Sequence, residues 1–315
     1  PAVVEALIRR LQDHGVRHIT VADGSGMGHT ASRAFTLLGY DELARRYGVR
    51  LLDIEKDDFV SRPTRCEGPF DSLQISRTVA ESDFLINVPV LKAHGETKIT
   101  CSLKNLKGLM PRGMKSRFHG TDLHRAIAQL NTVAAADLIV VDGAFGDLSN
   151  EEGGTPTEMG IMAAGTDPLE IDAFAAGTLG FAPADILHLG HYARFRNADL
   201  STFRPEIRKL NAPAEQTTFT VGGDPFSRFP CRVTAEGVCC TCRGNLVFAL
   251  KRLSERRELS RDQHFFIGRR GRVPDAARMS GGPDEARRGR REGDSAGRSI
   301  AVGDCAVRRF RTALG

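Results

Sequence analysis

Three observations in this chain of 315 residues predict an α/β fold. Over the first 180 residues, segments of helical periodicity alternate with short apolar segments. That alternation is the pattern of a mostly parallel sheet with helices on both faces. The apolar segments end on turn residues, in VADG (21–24), INVP (86–89) and VVDG (140–143). A cysteine-bearing stretch near the C-terminus stands outside the alternation and predicts a small second module. The expected organisation is an α/β domain over 1–215 and a Cys-containing module over 216–315, the latter interrupted by a disordered Arg/Gly-rich insertion near 279–299.

The first segment, PAVVEALIRRL, carries Val4, Leu7, Ile8 and Leu11 on one stripe and reads as an amphipathic helix over 1–14. A chain that starts on this helix is expected to lack an earlier strand. A strand over 18–24, a helix near 31–46 and a strand over 50–55 follow. Next come a short strand, a turn and the strand that runs into Pro89. A helix over 121–136, a strand over 137–146 and a strand over 160–168 lead to a helix over 169–180 closed by Gly180. The pattern weakens after about residue 185. Residues 186–198 and 243–258 still read as helices, and 219–226, 264–268 and 299–305 as strand-like pieces.

Composition narrows the function classes. Apolar residues make up 41% of the chain and charged residues 26%, values of a soluble globular protein with a real core. No apolar run approaches the 18 or so residues a membrane span needs, so no membrane partner is expected, and cytoplasmic residence is the default. The net charge of +5 is unevenly placed. Residues 251–315 hold 17 Lys and Arg against 9 Asp and Glu, a net of +8, while the rest of the chain is at −3. The most basic stretch, 281–299, has no aromatic residue on which a base could stack, so it reads as a solvated insertion and not as a nucleic-acid interface.

The chemistry concentrates in residues 87–119. After the strand that halts at Pro89, a polar loop is expected to hold Lys92, His94, Thr97, Lys104, Asn105, Lys107 and His119. Ligands of open α/β sheets sit beyond the carboxyl ends of strands, so this loop predicts a site for a small anionic ligand or substrate, or for a metal. His94 and His119 lie in Gly- and Lys-rich surroundings, not on an apolar stripe, which argues against a buried core role. Imidazole suits either metal ligation or proton transfer. Lys104 and Lys107 fall three residues apart, on one helical face, where a lysine beside other cations acts as nucleophile or base, or simply grips an anion. Asp142, Asp167 and Asp172 end or follow strands and could bind ligand, cap a helix or form ion pairs. The turn Gly24-Ser25-Gly26-Met27-Gly28, with Asp53 further on, offers amides to an anion without the dinucleotide fingerprint spacing.

Three cysteines crowd into GVCCTCRG: Cys239, Cys240 and Cys242, with Cys305 or Cys231 as further candidates. With no secretory segment in view, such clustering points to metal or redox use, either zinc or an iron–sulfur cluster.

The stretch LINVPVLKAHGETKITCSLKNLKGLMP…RFH resembles the signature of the domain of unknown function 362 family, with its P-x-L-K-x-H and K-N-x-x-G elements. VVDGAFG, AAGTDPLEIDAFAAGTLG and the opening PAVVEALIRRLQDHGV extend the resemblance over roughly residues 1–190. Members often carry Cys-containing or ferredoxin-like C-terminal parts, so the resemblance implies an iron–sulfur cluster on Cys239, Cys240, Cys242 and Cys305. The Arg/Gly-rich insertion departs from that layout. A more distant likeness to lactate racemase and its relatives lies in the order His94, Lys104, His119. It implies a nickel-pincer cofactor on Lys104, with a histidine ligating metal or moving a proton.

Three functions are compatible with these residues. The first is an iron–sulfur-associated redox protein or oxidoreductase with a redox partner protein. The second is a metal- or cofactor-dependent isomerase of small hydroxy acids that uses His94, Lys104 and His119. The third is a non-enzymatic anion-binding module with structural zinc.

Overall fold

A computed structural model describes residues 1–26, 30–148, 156–211, 218–236, 238, 240–268 and 299–302. The chain forms two compact units. The first comprises Pro1–Ala93, Thr97–Leu148 and Pro156–Val221; the second includes His94–Glu96 and the described part of Gly222–Gly315.

The first unit begins with α1 (Ala2–Asp13), β1 (Thr20–Asp23), α2 (Ala31–Leu37), α3 (Tyr40–Tyr47) and β2 (Arg50–Asp53). Strands β1 and β2 pair in parallel, Thr20 opposite Arg50 through Asp23 opposite Asp53. The single helix expected near 31–46 is two. Gly39 takes a left-handed conformation (φ +77°) between α2 and α3, which a residue without Cβ adopts at no steric cost. A small apolar cluster of Ile8, Leu43 and Val49 holds this lobe together.

Then come the hairpin β3 (Phe59–Pro63) and β4 (Ser72–Ser76), α4 (Arg77–Ala80), β5 (Ile86–Asn87), β6 (Val90–His94), β7 (Lys98–Thr100), α5 (Ser102–Asn105), α6 (Arg112–His119) and α7 (Leu123–Val133). They are followed by β8 (Leu138–Asp147), β9 (Pro156–Gly165), α8 (Pro168–Thr178) and α9 (Leu187–Phe195). Both β5 and β6 run parallel to β8, while β9 returns antiparallel along its other side. The register of β8 with β9 slips between Gly143 and Phe145, and Gly160 (φ +65°) lies at the slip on β9, as a glycine bulge does.

One face of this sheet builds the core. Ile139 and Val141 of β8, Leu91 of β6 and Ile99 of β7 pack with Leu123, Ala126, Ile127 and Leu130 of α7. That last set recurs at three- and four-residue intervals, one stripe of a helix. Ile127, Leu130, Ile139 and Leu179 are fully buried; each such side chain contributes roughly 1.5–3 kcal/mol over leaving it in water. Gln129, on the same helix, pins the loop before β4. Its Nε2 donates to the carbonyls of Cys66 (3.0 Å) and Phe70 (2.8 Å), and its Oε1 accepts from the Phe70 amide (3.1 Å).

Proline 89 does not end the strand. It lacks an amide to donate, yet its carbonyl accepts from the Asp142 amide at 2.8 Å, so pairing with β8 resumes at Val90. The polar loop expected after Pro89 is therefore regular structure: Lys92 and His94 lie on β6, Lys104 and Asn105 on α5, and His119 on the last turn of α6.

In the second unit, β10 (Arg232–Glu236), β11 (His264–Gly268) and β12 (Ser299–Val302) form a parallel sheet, with α10 (Cys240–Glu255) between the first two strands. Phe226, Leu246, Val247, Leu250, Phe265 and Ile267 form its core, and buried Cys231 belongs to it. The strand-like reading of 219–226 does not hold: the described residues there form no strand. The insertion near 279–299 lies outside the described residues, apart from the backbone of Ser299.

Candidate functional site

The site begins with two glycines. A Cβ placed on Gly24, just past β1, would lie 1.8 Å from the Gly108 carbonyl oxygen. Only a bare backbone lets the turn after β1 rest on the 3₁₀ turn Leu106–Leu109. Two motifs far apart in the chain, the Gly24-Ser25-Gly26 turn and the Lys104-to-Gly108 element, thus meet in one place. Gly28 lies outside the described residues. Ser25 is buried, and its Oγ accepts from the Ala31 amide at 2.7 Å, which ties the turn to the start of α2.

Helix α6 closes this place from another side. Met114 and Phe118, one turn apart, are buried, and Phe118 stacks on Phe70 with centroids 5.2 Å apart. That anchoring leaves Lys115 and His119, again one turn apart, on a neighbouring strip of the helix. Lys115 Nζ donates to the Ser25 carbonyl (3.2 Å) and to Glu55 Oε1 (3.0 Å). Lys107 Nζ lies 3.1 Å from His119 Nε2. An ammonium has no lone pair, so at this contact the lysine donates and the imidazole nitrogen accepts.

Carboxylates complete the cluster. Asp23, at the end of β1, is open to solvent and crowded by protein atoms. Desolvation pushes its carboxyl up; the Gly24 amide, Lys115 and Lys92 pull the other way, and Asp53 adds to the rise. The Gly24 amide donates to Asp23 Oδ1 at 2.8 Å. Asp53 behaves oppositely: burial raises it, but the hydroxyl and amide of Ser32 (2.7 and 3.2 Å) and the Glu55 amide more than offset this and hold it below the ordinary range. Tyr40 is pushed up by burial, then by the charges of Asp23 and Asp142. The result is a patch of cations (Lys92, Lys107, Lys115), one histidine, exposed Asp23 and buried Asp53 at the carboxyl ends of β1 and β2 and along β6. Such a patch has the charge to attract an anion and groups chemically able to exchange a proton.

A second cluster sits in the core. Asp172 of α8 accepts from the Ser102 amide and hydroxyl, both at 2.7 Å, and from the Leu103 amide at 3.2 Å, so it caps α5 from across the fold. Burial is the largest influence on it and pushes its carboxyl up to about 6. His188 Nε2 stands 3.9 Å from Asp172 Oδ2, and both side chains are fully buried. The His188 ring lies nearly parallel to that of His124, with centroids 6.0 Å apart. The thiol of Cys101 is pushed well up by burial and by Asp172.

The family model described as domain of unknown function (DUF362) matches residues 1–177, which contain every group of the cleft. This chain belongs to the DUF362 family. It is 27% identical over 196 residues, 59% of its own length, to the thylakoid-associated protein sll1697 of Synechocystis sp. (strain ATCC 27184 / PCC 6803 / Kazusa). The chain spans 58% of that relative's length.

Within this DUF362 chain the residues singled out from sequence take different places. Lys107 and His119 meet in the patch, while Lys92 acts by charge on Asp23 and Asp142 on Tyr40. Lys104 and Lys107 have different surroundings: Lys104 is buried, and Lys107 meets His119. The α-helix tightens to a 3₁₀ turn after Asn105, and buried Lys104 donates to Thr100 Oγ1 at 3.1 Å. Asn105 Nδ2 donates to Asn87 Oδ1 (2.8 Å), and Asn87 in turn to the Ser102 carbonyl (2.9 Å), which fastens α5 to β5. Thr97 is buried, its hydroxyl donating to the Ile99 carbonyl at 2.9 Å. Asp167 caps α8 through the Leu169 amide (2.8 Å) and pairs with Arg196.

His94 is buried at the end of β6, against the expectation of an exposed loop. It belongs to the second unit, where its Nδ1 accepts from the Glu96 amide at 3.1 Å and the neighbouring Gly95 lies against Arg243. Cys242 is half-buried on the first turn of α10, whose backbone begins at Cys240; Cys239 and Cys305 lie outside the described residues. Among the described residues no three His, Cys, Asp or Glu side chains group as a metal site needs. No helix among them is long and apolar enough to cross a membrane.

Sequence reasoning missed Asp23, Lys115, Glu55 and His188. The first three were legible only as strand-end and loop residues, since their partners come from distant segments. His188 lies on the apolar stripe of α9, a position that signals burial but not a polar partner.

Proposed function

We propose that the cleft of the first unit binds a small anionic ligand and that His119 exchanges a proton with it. The observation that carries this reading is the 3.1 Å contact of Lys107 Nζ with His119 Nε2, set on two segments held together by Gly24 against Gly108. A ligand carboxylate or phosphate entering beside Lys107 competes for the ammonium. When the lysine turns to the anion, His119 Nε2 becomes available as a proton acceptor next to the bound group. Lys92 and Lys115 add positive potential, and Asp23, its carboxyl raised by desolvation, is a second group that binds a proton more readily than an ordinary carboxylate. Cytoplasmic residence is part of this reading.

Calorimetric titration with inorganic phosphate and with acetate tests it. Lys107→Ala is expected to weaken binding about tenfold, the order of one charge-assisted hydrogen bond. His119→Gln is expected to retain binding and remove any pH dependence of proton uptake on binding. Equal affinity in wild type and Lys107→Ala would remove the site from this cleft.

A second reading is an iron–sulfur-associated redox function in the second unit. It is favoured by Cys242 and the Cys240 backbone on the first turn of α10, the helix that carries Arg243 against Gly95. A cluster there would supply electron transfer, and the fold would supply thiolates at a helix start. Iron and acid-labile sulfide analysis of anaerobically purified protein tests this, with Cys242→Ser expected to lose both. Zinc alone would leave a structural metal, and nickel would favour the isomerase class.

A further inference from the structure

Helix α5 is a single turn of four residues, and so short a helix supplies few backbone bonds of its own. Side chains from three other elements hold it instead. Asp172 of α8 accepts from the Ser102 and Leu103 amides. Asn131 of α7 donates through Nδ2 to the Leu103 carbonyl at 2.8 Å and to the Ile127 carbonyl of its own helix at 2.9 Å. Asn87 of β5 donates to the Ser102 carbonyl at 2.9 Å and accepts from Asn105 Nδ2 at 2.8 Å, so it meets the turn at both ends. The amides and carbonyls of Ser102 and Leu103 are thus all engaged by side chains. Asn87, Asn131 and Asp172 are buried, whereas Asn105 is exposed. No loop separates this turn from the patch. The chain passes from Asn105 into the 3₁₀ turn Leu106–Leu109, which carries Lys107 and rests through Gly108 on Gly24.

Resting on the anion-site reading above, we infer that Asn131 and the Asn87–Asn105 pair are positioning residues of the anion site: by fixing the rotation of α5 they set where Lys107 stands against His119. The carbonyls of a helix point toward its C-terminal end, the end at which Lys107 follows. Asp172 holds the amides of the turn, and the two buried asparagines hold its carbonyls. A leucine would fill the space at 131 without a desolvation cost, so what the asparagine adds is the direction of its bond to Leu103. Apolar packing resists separation, whereas a satisfied network of directional bonds also resists rotation. His119 has supports of its own on α6. Glu55 accepts from the Arg112 amide at 3.1 Å and from Lys115 at 3.0 Å, and Phe118 stacks on Phe70. The 3.1 Å contact of Lys107 Nζ with His119 Nε2 therefore joins two segments held by separate sets of side chains, and its length depends on both.

The test reads the contact and the binding separately, on the whole chain. The nitrogen NMR resonance of His119 Nε2, assigned by its absence from His119→Gln, reports whether a donor meets that atom. Lys107→Ala gives its position without one. Asn131→Leu and Asn105→Ala are expected to move the resonance toward the Lys107→Ala position. Both are also expected to weaken calorimetric phosphate binding about threefold to tenfold, up to the loss of one charge-assisted hydrogen bond. Asn105→Ala changes an exposed position, so it decides the outcome should urea denaturation show that Asn131→Leu does not fold. Leu189→Ala opens a cavity in the same core on α9, which carries none of these groups, and is expected to leave both readings at wild-type values. Wild-type resonance and wild-type affinity in the asparagine variants overturn the positioning role and leave the anion site standing. One reading moving without the other overturns it as well, and so does an equal change in Leu189→Ala, since general loosening would then suffice. If wild type binds neither phosphate nor acetate, the anion reading itself falls and takes with it the site these residues serve.

Discussion

Asp172 and Asp23 are both carboxyls raised by the protein around them, and they stand for opposite designs. Asp172 is fully buried, receives three hydrogen bonds from Ser102 and Leu103, and has His188 as a neighbour. Asp23 is open to solvent, accepts one amide and feels Lys115, Lys92 and Asp53 across a cleft. The first is committed to the fold, because every lone pair it offers inward joins α8 to the start of α5. The second is available for chemistry, because solvent reaches it. A perturbed carboxyl therefore points to function only where access accompanies the perturbation.

The largest way to break that contrast is to remove the buried member. Asp172→Ala leaves the Ser102 amide and hydroxyl and the Leu103 amide without an acceptor in the core, and is expected to cost roughly 3–5 kcal/mol in urea denaturation. A cost below about 1 kcal/mol would show that α5 does not depend on this cap.

The same residue gives a pH signature. The folded chain keeps the Asp172 proton up to about pH 6, whereas an unfolded carboxyl releases it near 3.8. Its contribution to stability is therefore full below about pH 4, declines as pH rises and is lost above about pH 6, a swing of roughly 3 kcal/mol. Asp172→Asn, which cannot ionise, is expected to gain on wild type between pH 4 and 7.5. A constant difference between the two proteins across that range would contradict the shift.

A smaller effect sharpens the other side of the comparison. Gly24→Ala forces the turn after β1 away from Gly108, at an expected cost of about 1–3 kcal/mol together with weaker phosphate binding. A Cβ on Gly26 meets nothing within 4 Å, so Gly26→Ala serves as the matched control and should stay within about 0.5 kcal/mol of wild type. Similar behaviour of the two variants would remove the glycine contact from the site.

Much of this was legible in the chain itself. The periodicity of α1, α7 and α8 and the Asp-Gly ending of β1 located elements, whereas β8 runs on through Asp142-Gly143 to Asp147; the signature around Lys92 to His119 located the family. Two readings of the loop changed. Pro89 removes one donor but keeps its acceptor, so β6 continues where a loop was expected. Lys104 is buried and donates to Thr100, which its spacing from Lys107 does not reveal. The partners of the cleft were hidden for another reason: Ser25 with Lys115, Glu55 with Lys115 and Gly24 with Gly108 are contacts between segments dozens of residues apart. Side-chain type announces chemistry, whereas tertiary pairing decides which of the announced groups meet.

The bulge on β9 has a consequence for how this molecule behaves in company. Strand β9 pairs with β8 on one side, and the other side of an edge strand is a template on which a foreign strand could add and turn a finite sheet into a growing one. Pro156 at its start offers no amide, Gly160 at left-handed φ breaks the repeat that a docking strand would need, and Glu158 projects outward with a charge. These three residues make this side of β9 a poor template for strand addition, while the opposite side is paired with β8 apart from the slip at Gly160.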